Sequence, residues 1–220
     1  MRTQTKLAVA LGTAVVLILA VLVVGVLRQS GEGPRAVETG GTADTPLMRA
    51  DSRILGGAGS SAVTVVEFLD FECEACGAAY PVVEQLRDDY QGKVTFVARY
   101  FPLPGHFNSE RAAWAVESAA RQDRFEEMYQ KMFETQAEWG EQRVGKDRLF
   151  RGFAEDLGLD MAKFDRDYAS DEVRERVQRD VDDGEELGVT GTPTFYIDGE
   201  PFQPSSVQDF YDRIDDALSA

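Results

Sequence analysis

Apolar and polar positions along this chain change their period several times, and each change marks an element. Leu7–Leu27 is an apolar run of 21 residues interrupted only by Gly12, Thr13 and Gly25, without a charge. At the helical rise it spans about 31 Å, enough to cross a bilayer. Residues 28–52 are rich in Gly, Thr, Ala and Pro and show no period, which predicts a flexible linker without packed structure. Val63–Leu69 and Val94–Phe101 are β-branched and aromatic runs of the kind that form buried strands. The stretch between them, about Cys73–Tyr90, reads as a helix, so the two strands should be a parallel pair joined by a right-handed crossover.

From Ser109 to Gly188 the period becomes helical. Phe125, Met128, Tyr129, Met132 and Phe133 form one stripe at i, i+3, i+4, i+7, i+8, and Asp123 with Glu126 has capping-box spacing just before it. Leu149, Phe150, Phe153 and Leu157 form a second stripe, and Val173, Val177 and Val181 a third. All three read as helical core. Gly188 can end the last of these helices; Thr194–Phe202 then reads as a hairpin turning at Asp198-Gly199, and an amphipathic helix at about Ser206–Leu218 closes the chain.

The 220 residues leave about 165 beyond the apolar run and linker, enough for one domain with a sizeable core. Net charge is −16, which repels phosphate backbones and anionic lipid heads and argues against nucleic-acid binding. The apolar run is longer than the core of a signal peptide, and its Leu27-Arg28-Gln29-Ser30 flank lacks a convincing cleavage site, so it reads as a retained anchor. Arg2 and Lys6 on one side nearly balance Arg28 and Arg35 on the other, so charge alone barely orients it.

Two cysteines, Cys73 and Cys76, stand as Cys-Glu-Ala-Cys where the first strand gives way to the helix. A pair at that spacing can close into a small disulfide ring and reopen. A metal site would need two more ligands, and the chain has one histidine and no other cysteine. A permanent brace over so short a loop would remove little chain entropy. A stable disulfide requires an oxidising compartment, which places residues 1–6 in the cytoplasm as a short tail and the domain outside it, in a single-pass membrane protein.

Val65-Val-Glu67-Phe-Leu-Asp-Phe-Glu-Cys73-Glu-Ala-Cys76, with Gly191-Thr192-Pro193-Thr-Phe195 more than a hundred residues later, resembles the thioredoxin superfamily. The helical segment between the two halves, about residues 105–188, and Phe101-Pro-Leu-Pro-Gly-His106 make the resemblance specific to its DsbA-like branch of extracytoplasmic thiol-disulfide oxidoreductases. The resemblance covers residues 53–220 and implies an α/β thioredoxin fold with an inserted helical subdomain, here preceded by one transmembrane helix. In such a motif Cys73 would be the nucleophile, its thiolate stabilised by the helix N-terminus, and Cys76 the resolving thiol. Glu67, in an apolar strand six residues before Cys73, should have a raised pKa and could shuttle protons to Cys76. The resemblance also implies a cis Thr192-Pro193 bond beside the dithiol, with Thr192 pairing to an extended substrate strand. Pro81 would kink the active-site helix, and His106 would serve loop packing rather than catalysis.

One departure stands out. Strongly oxidising relatives carry Pro-His between the cysteines where this chain has Glu74-Ala75. An acidic neighbour at about 6 Å costs a thiolate about half a pKa unit, so Glu72 and Glu74 should nearly offset the helix terminus and leave Cys73 less acidic than in the strongest oxidases. The sequence thus predicts a membrane-tethered oxidoreductase acting on protein thiols, more oxidase than reductase. It needs no organic cofactor, because the sulfurs carry the electrons, and the family implies reoxidation by a quinone-linked membrane partner of the DsbB or vitamin K epoxide reductase type. The alternative is a tethered, non-catalytic module that grips peptides or delivers a metal.

Overall fold

The computed structural model describes residues 45–220. A five-stranded mixed sheet has the order β1-β3-β2-β4-β5, with β1 Arg53–Leu55, β2 Thr64–Leu69, β3 Thr95–Tyr100, β4 Thr194–Ile197 and β5 Glu200–Phe202. β2 and β3 are parallel, as the strand-helix-strand order requires, and the other neighbours are antiparallel. Glu67 lies mid-strand, flanked by Ala98 of β3 and Phe195 of β4. β1, at the β3 edge, has no counterpart among the predicted elements; three residues are too few to show a period.

Helix α1, Glu74–Asp89, begins right after Cys73, which occupies the N-cap position with extended backbone, and Pro81 lies inside it. The insertion comprises α2 Ser109–Ala120, α3 Phe125–Glu134, α4 Gln136–Trp139, α5 Asp147–Asp156, α6 Met161–Tyr168 and α7 Asp171–Glu186. The capping box expected before α3 does not form: Asp123 is left-handed at φ 59°, and Arg124, the N-cap, accepts no side-chain bond. Gly188, at φ 81°, does end α7, with Val189 N–H closing back onto the Gly184 carbonyl at 2.8 Å. The β4–β5 hairpin turns at Asp198 and Gly199, both at positive φ (53° and 83°), as a two-residue loop of this kind demands. Helix α8, Val207–Ser219, opens on a capping box between Ser206 and Asp209.

Side chains alternate across β2, so the sheet has two apolar faces. On one, Val65, Leu69 and Phe71 join Tyr129, Phe133, Trp139 and Phe150 of the insertion. On the other, Val66 and Phe68 pack with Val97, Phe101 and Tyr196 beneath Val181 and Leu187. A fully buried guanidinium, that of Arg99, ties this second face together: it bonds Asp180 at 2.7 Å and Asp183 at 2.5 Å and donates to the carbonyls of Pro46 and Leu47 at 2.8 Å.

Those last contacts revise the domain boundary. Residues 45–52, assigned to a flexible linker from composition, fold onto the domain: Leu47 and Met48 pack into the second core and Arg49 pairs with Asp183. Their anchors are buried partners on β3 and α7, which no local pattern reveals. The predicted span at residues 7–27 lies outside the described residues, as does most of the linker; among the described residues no helix is long and apolar enough to cross a membrane.

Candidate active site

The β2–α1 junction places both cysteines by simple geometry. β2 ends at Leu69, the chain turns at Phe71 and Glu72, and Cys73 caps α1, so its sulfur faces the N–H groups of the first turn. Cys76, one turn later, points into the core and is fully buried. Both are free thiols. The Cys73 Sγ lies 3.4 Å from the carbonyl oxygen of Thr192, whose bond to Pro193 is cis, as the resemblance implies. The sequence-distant Thr192-Pro193 loop is therefore seated directly against the dithiol.

The two sulfurs differ sharply in acidity. The Cys76 thiol donates toward the Cys73 sulfur; burial opposes ionisation, but Thr192 and the N–H groups of Cys76 and Ala75 add to the stabilisation, and the Cys73 pKa falls to about 5. The Thr192 hydroxyl is buried with no other partner, which leaves it available to the thiolate. Cys76 moves the opposite way: burial, the bond to Cys73 and the nearby Glu67 charge push its pKa far up. The near cancellation expected from Glu72 and Glu74 is not what this arrangement yields. Glu72 turns its carboxylate inward, accepting the Asn108 N–H at 2.5 Å, and Glu74 is exposed on the first helical turn.

Glu67 is buried in the middle of β2, and burial, followed by the charges of Cys73 and Glu84, raises its pKa to about 8. At neutral pH it is mostly a carboxylic acid, able to give a proton or, once ionised, to take one. Tyr129 from α3 shares its electrostatic surroundings and keeps a buried hydroxyl without a hydrogen-bond partner.

Sequence reasoning missed Asp70. Its buried carboxylate accepts from the backbone of Glu72 (2.8 Å) and Leu103 (3.0 Å) and meets His106 Nδ1 at 2.6 Å, while its own N–H donates to Cys76 Sγ at 3.5 Å and its carbonyl accepts from Cys73 N–H at 3.1 Å. Burial raises the Asp70 pKa to about 6 against the pull of those donors. For His106, burial disfavours the charge, but the bond to Asp70 outweighs it and the pKa rises. His106 thus does secure its loop, and it does so by gripping the active-site turn. A charged residue between Leu69 and Phe71 at the end of an apolar strand was the available signal. Gln136, which donates to the carbonyls of Phe71 and Cys73, had none.

Comparisons with known proteins agree with this geometry. The family described as thioredoxin matches residues 50–216. Among solved structures, a thioredoxin-like oxidoreductase from Silicibacter pomeroyi DSS-3 is 26% identical with a TM-score of 0.68, covering 81% of this chain and 98% of its own. BdbD from Bacillus subtilis, in its oxidised form, superposes with a TM-score of 0.68 at 22% identity, covering 77% of this chain and 94% of its own. The thiol-disulfide exchange protein alpha-DsbA2 from Wolbachia pipientis gives 0.65 at 22%, covering 78% and 90%; these last two likenesses speak for the fold alone. The curated relatives include Na(+)/H(+) antiporter NhaA 3 of Salinispora tropica, 40% identical over 62% of this chain, and Na(+)/H(+) antiporter NhaA 1 of Mycobacterium sp. (strain KMS), 34% identical over 63%. This chain spans only 20% and 22% of their lengths.

Proposed function

The chain belongs to the thioredoxin family, in its DsbA-like arrangement with a helical insertion, and we propose that it is an extracytoplasmic thiol-disulfide oxidoreductase that acts chiefly as an oxidase of protein thiols. One observation carries the reading: a thiolate-prone Cys73 at a helix N-terminus, 3.4 Å from the carbonyl that precedes a cis proline, backed by a buried Cys76 of far higher pKa.

The chemistry balances within this set. A substrate thiolate attacks Cys73 Sγ of the Cys73–Cys76 disulfide; the S–S bond breaks and Cys76, leaving as a thiolate, takes the proton of Glu67. A second substrate thiolate then attacks the substrate sulfur of the mixed disulfide, and Cys73 leaves as a thiolate. Two electrons have passed from substrate to dithiol, and the substrate holds the new disulfide. Thr192 offers backbone groups to an extended substrate strand while Pro193, lacking an N–H, sits by the sulfurs.

The leaving sulfur supports the oxidase direction. With its pKa lowered to about 5, Cys73 is mostly a thiolate at neutral pH, which stabilises the reduced form relative to the disulfide. A stabilised dithiol makes its disulfide a donor of oxidising equivalents. The tether at residues 7–27, the extracytoplasmic location and a quinone-linked membrane partner of the DsbB or vitamin K epoxide reductase type complete this reading, since an oxidase must be reoxidised. Transport by the antiporter relatives is not carried over, because the shared segment is about a fifth of their length.

The test is the equilibrium of the chain with glutathione, with free thiols trapped by alkylation. A reduction potential above about −200 mV supports an oxidase, and one below about −250 mV a reductase. A pair that never cycles, or a Cys73→Ser, Cys76→Ser variant that still rescues a deletion strain, returns the domain to the non-catalytic binding module.

A further inference from the structure

Gln136 opens the single-turn helix α4 of the insertion, 63 residues from Cys73. Its side chain reaches back to the β2–α1 junction, where Nε2 lies 2.8 Å from the Phe71 carbonyl oxygen and 2.8 Å from that of Cys73. Two carbonyl acceptors demand a donor, so chemistry alone fixes which way the amide faces. Both N–H bonds of one amide are spent on the backbone on either side of Glu72, which leaves the turn into the nucleophile little freedom.

Nearby backbone is shaped around this amide. A Cβ added at Gly77 would come within 2.0 Å of Gln136 Oε1, so glycine at this helical position leaves the space that the glutamine occupies. Glycine costs a helix interior about 1 kcal/mol relative to alanine, so its presence in the second turn of α1 needs a packing reason, and Gln136 supplies one. Cys73 holds the N-cap position of α1 at φ −71°, ψ 120°; its neutral thiol makes no capping hydrogen bond, and the Ala75 and Cys76 N–H groups serve the sulfur once it ionises. Gln136 holds that residue from its carbonyl side.

Resting on the thiol-disulfide reading, we propose that Gln136 is a positioning residue by which the helical insertion sets the redox poise of the dithiol. Its amide holds the Cys73 peptide, whose carbonyl also accepts the Gly77 N–H at 3.0 Å, so that the N–H groups of Ala75 and Cys76 aim at the sulfur. The energy scale is one hydrogen bond between neutral groups, about a factor of ten in an equilibrium constant. The proton and electron pair remain with the two cysteines; Gln136 exchanges neither with substrate.

Gln136→Met in the full chain keeps reach and volume and removes the donors. The expected result is a Cys73 thiolate titration, followed by absorbance at 240 nm, shifted upward by about one pH unit, and a glutathione equilibrium shifted about tenfold toward the disulfide. Gly77→Ala is the second variant. Its methyl displaces the amide while favouring the helix, so it keeps the test open should Gln136→Met fail to fold, and it should move both readouts in the same direction. A folded variant of either kind with the titration and equilibrium of the parent chain overturns the proposal and leaves Gln136 as packing. A parent chain that forms no disulfide in glutathione defeats the oxidoreductase reading instead, and the titration alone then still tests the positioning of Cys73.

Discussion

Cys73 and Thr192 stand 119 residues apart in the chain, yet the Cys73 sulfur lies 3.4 Å from the Thr192 carbonyl oxygen. The contact joins the two halves of a fold that six helices interrupt, and it exists because β4 pairs with β2 in a register that sets Thr194 against Phe68. Strand pairing thus delivers the Thr192-Pro193 loop to the end of β2, where the chain turns into α1. The residue that would hold a substrate strand and the sulfur that would exchange with it are positioned by the same sheet.

Thr192→Val tests what the hydroxyl adds to this contact. The change keeps the carbonyl and the shape but removes the buried oxygen beside the sulfur. Hydrogen bonds to charged groups are worth about 1.5–3 kcal/mol, so the Cys73 pKa should rise from about 5 by about one to two units. A thiolate titration that does not move would assign the low pKa to Cys76 and the helix terminus alone.

Glu67 makes a prediction about pH with a definite sign. Its folded pKa, about 8, lies above the ordinary 4.5, so the folded reduced state holds a proton that the unfolded chain has lost. The Glu67 contribution to the stability of the dithiol form should therefore fall as pH rises from about 4.5 to about 8 and then level off, against the opposite contribution of the Cys73 thiolate, so the slope is read as the difference between the parent chain and the variant. Glu67→Gln abolishes that slope and should be the more stable protein at pH 8, by an amount on the order of a few kcal/mol. The same variant should slow resolution of a trapped mixed disulfide. Urea midpoints at pH 5 and pH 8 that fall in parallel for both proteins would contradict the buried acid.

His106 has the same sign of pH dependence, but here the proton strengthens a contact instead of sparing a buried charge. Its folded pKa is raised by Asp70 above the ordinary 6.5, so its contribution is lost as pH climbs through the folded value, while at the acid end the pair weakens as Asp70 itself takes up a proton at about pH 6. His106→Asn should accordingly destabilise the domain more at pH 6 than at pH 9, as read by thermal melts at the two values. It should also weaken the hold of the 103–108 loop on the active-site turn, visible as faster amide exchange at Leu103, whose N–H bonds Asp70.

The parts of this fold that are legible in the sequence are those written in local pattern. The strand runs at Val63 and Val94, the stripes around Met128 and Phe153, and the Asp198-Gly199 turn all repeat or punctuate at short range, and each forms the element expected. The two cysteines and Glu67 are legible because their residue types are out of place or paired at a telling spacing. Asp70, Gln136 and Arg99 are not, because what defines each is a partner 36 to 84 residues away: Asp70 needs His106, Gln136 needs Cys73, and Arg99 needs Asp180 and Asp183. Composition misled at residues 45–52 for the same reason. A short, Pro-containing stretch without a period looks unstructured until a buried arginine across the molecule is found to require its carbonyls.

That arginine gives the last prediction. Arg99 is wholly buried, and such a charge is tolerable only with its donors satisfied. Nε and Nη2 are matched by Asp180 and Asp183, but Nη1 depends on the carbonyls of Pro46 and Leu47, and Asp183 also takes the Arg49 side chain. A fragment beginning at residue 53 removes both carbonyls and Arg49 and uncovers the apolar face beneath Leu47 and Met48, leaving a buried cation short of acceptors. Fragment 45–220 should therefore exceed fragment 53–220 in unfolding free energy by about 2–5 kcal/mol, the cost of breaking one side of a buried ionic network. Arg99→Met, which removes the cation and fills its space, should shrink the gap between the two fragments, because the stranded charge is what makes the truncation costly. Urea unfolding of all four proteins decides it: equal stabilities for 45–220 and 53–220 would mean that the first eight described residues are a tether after all.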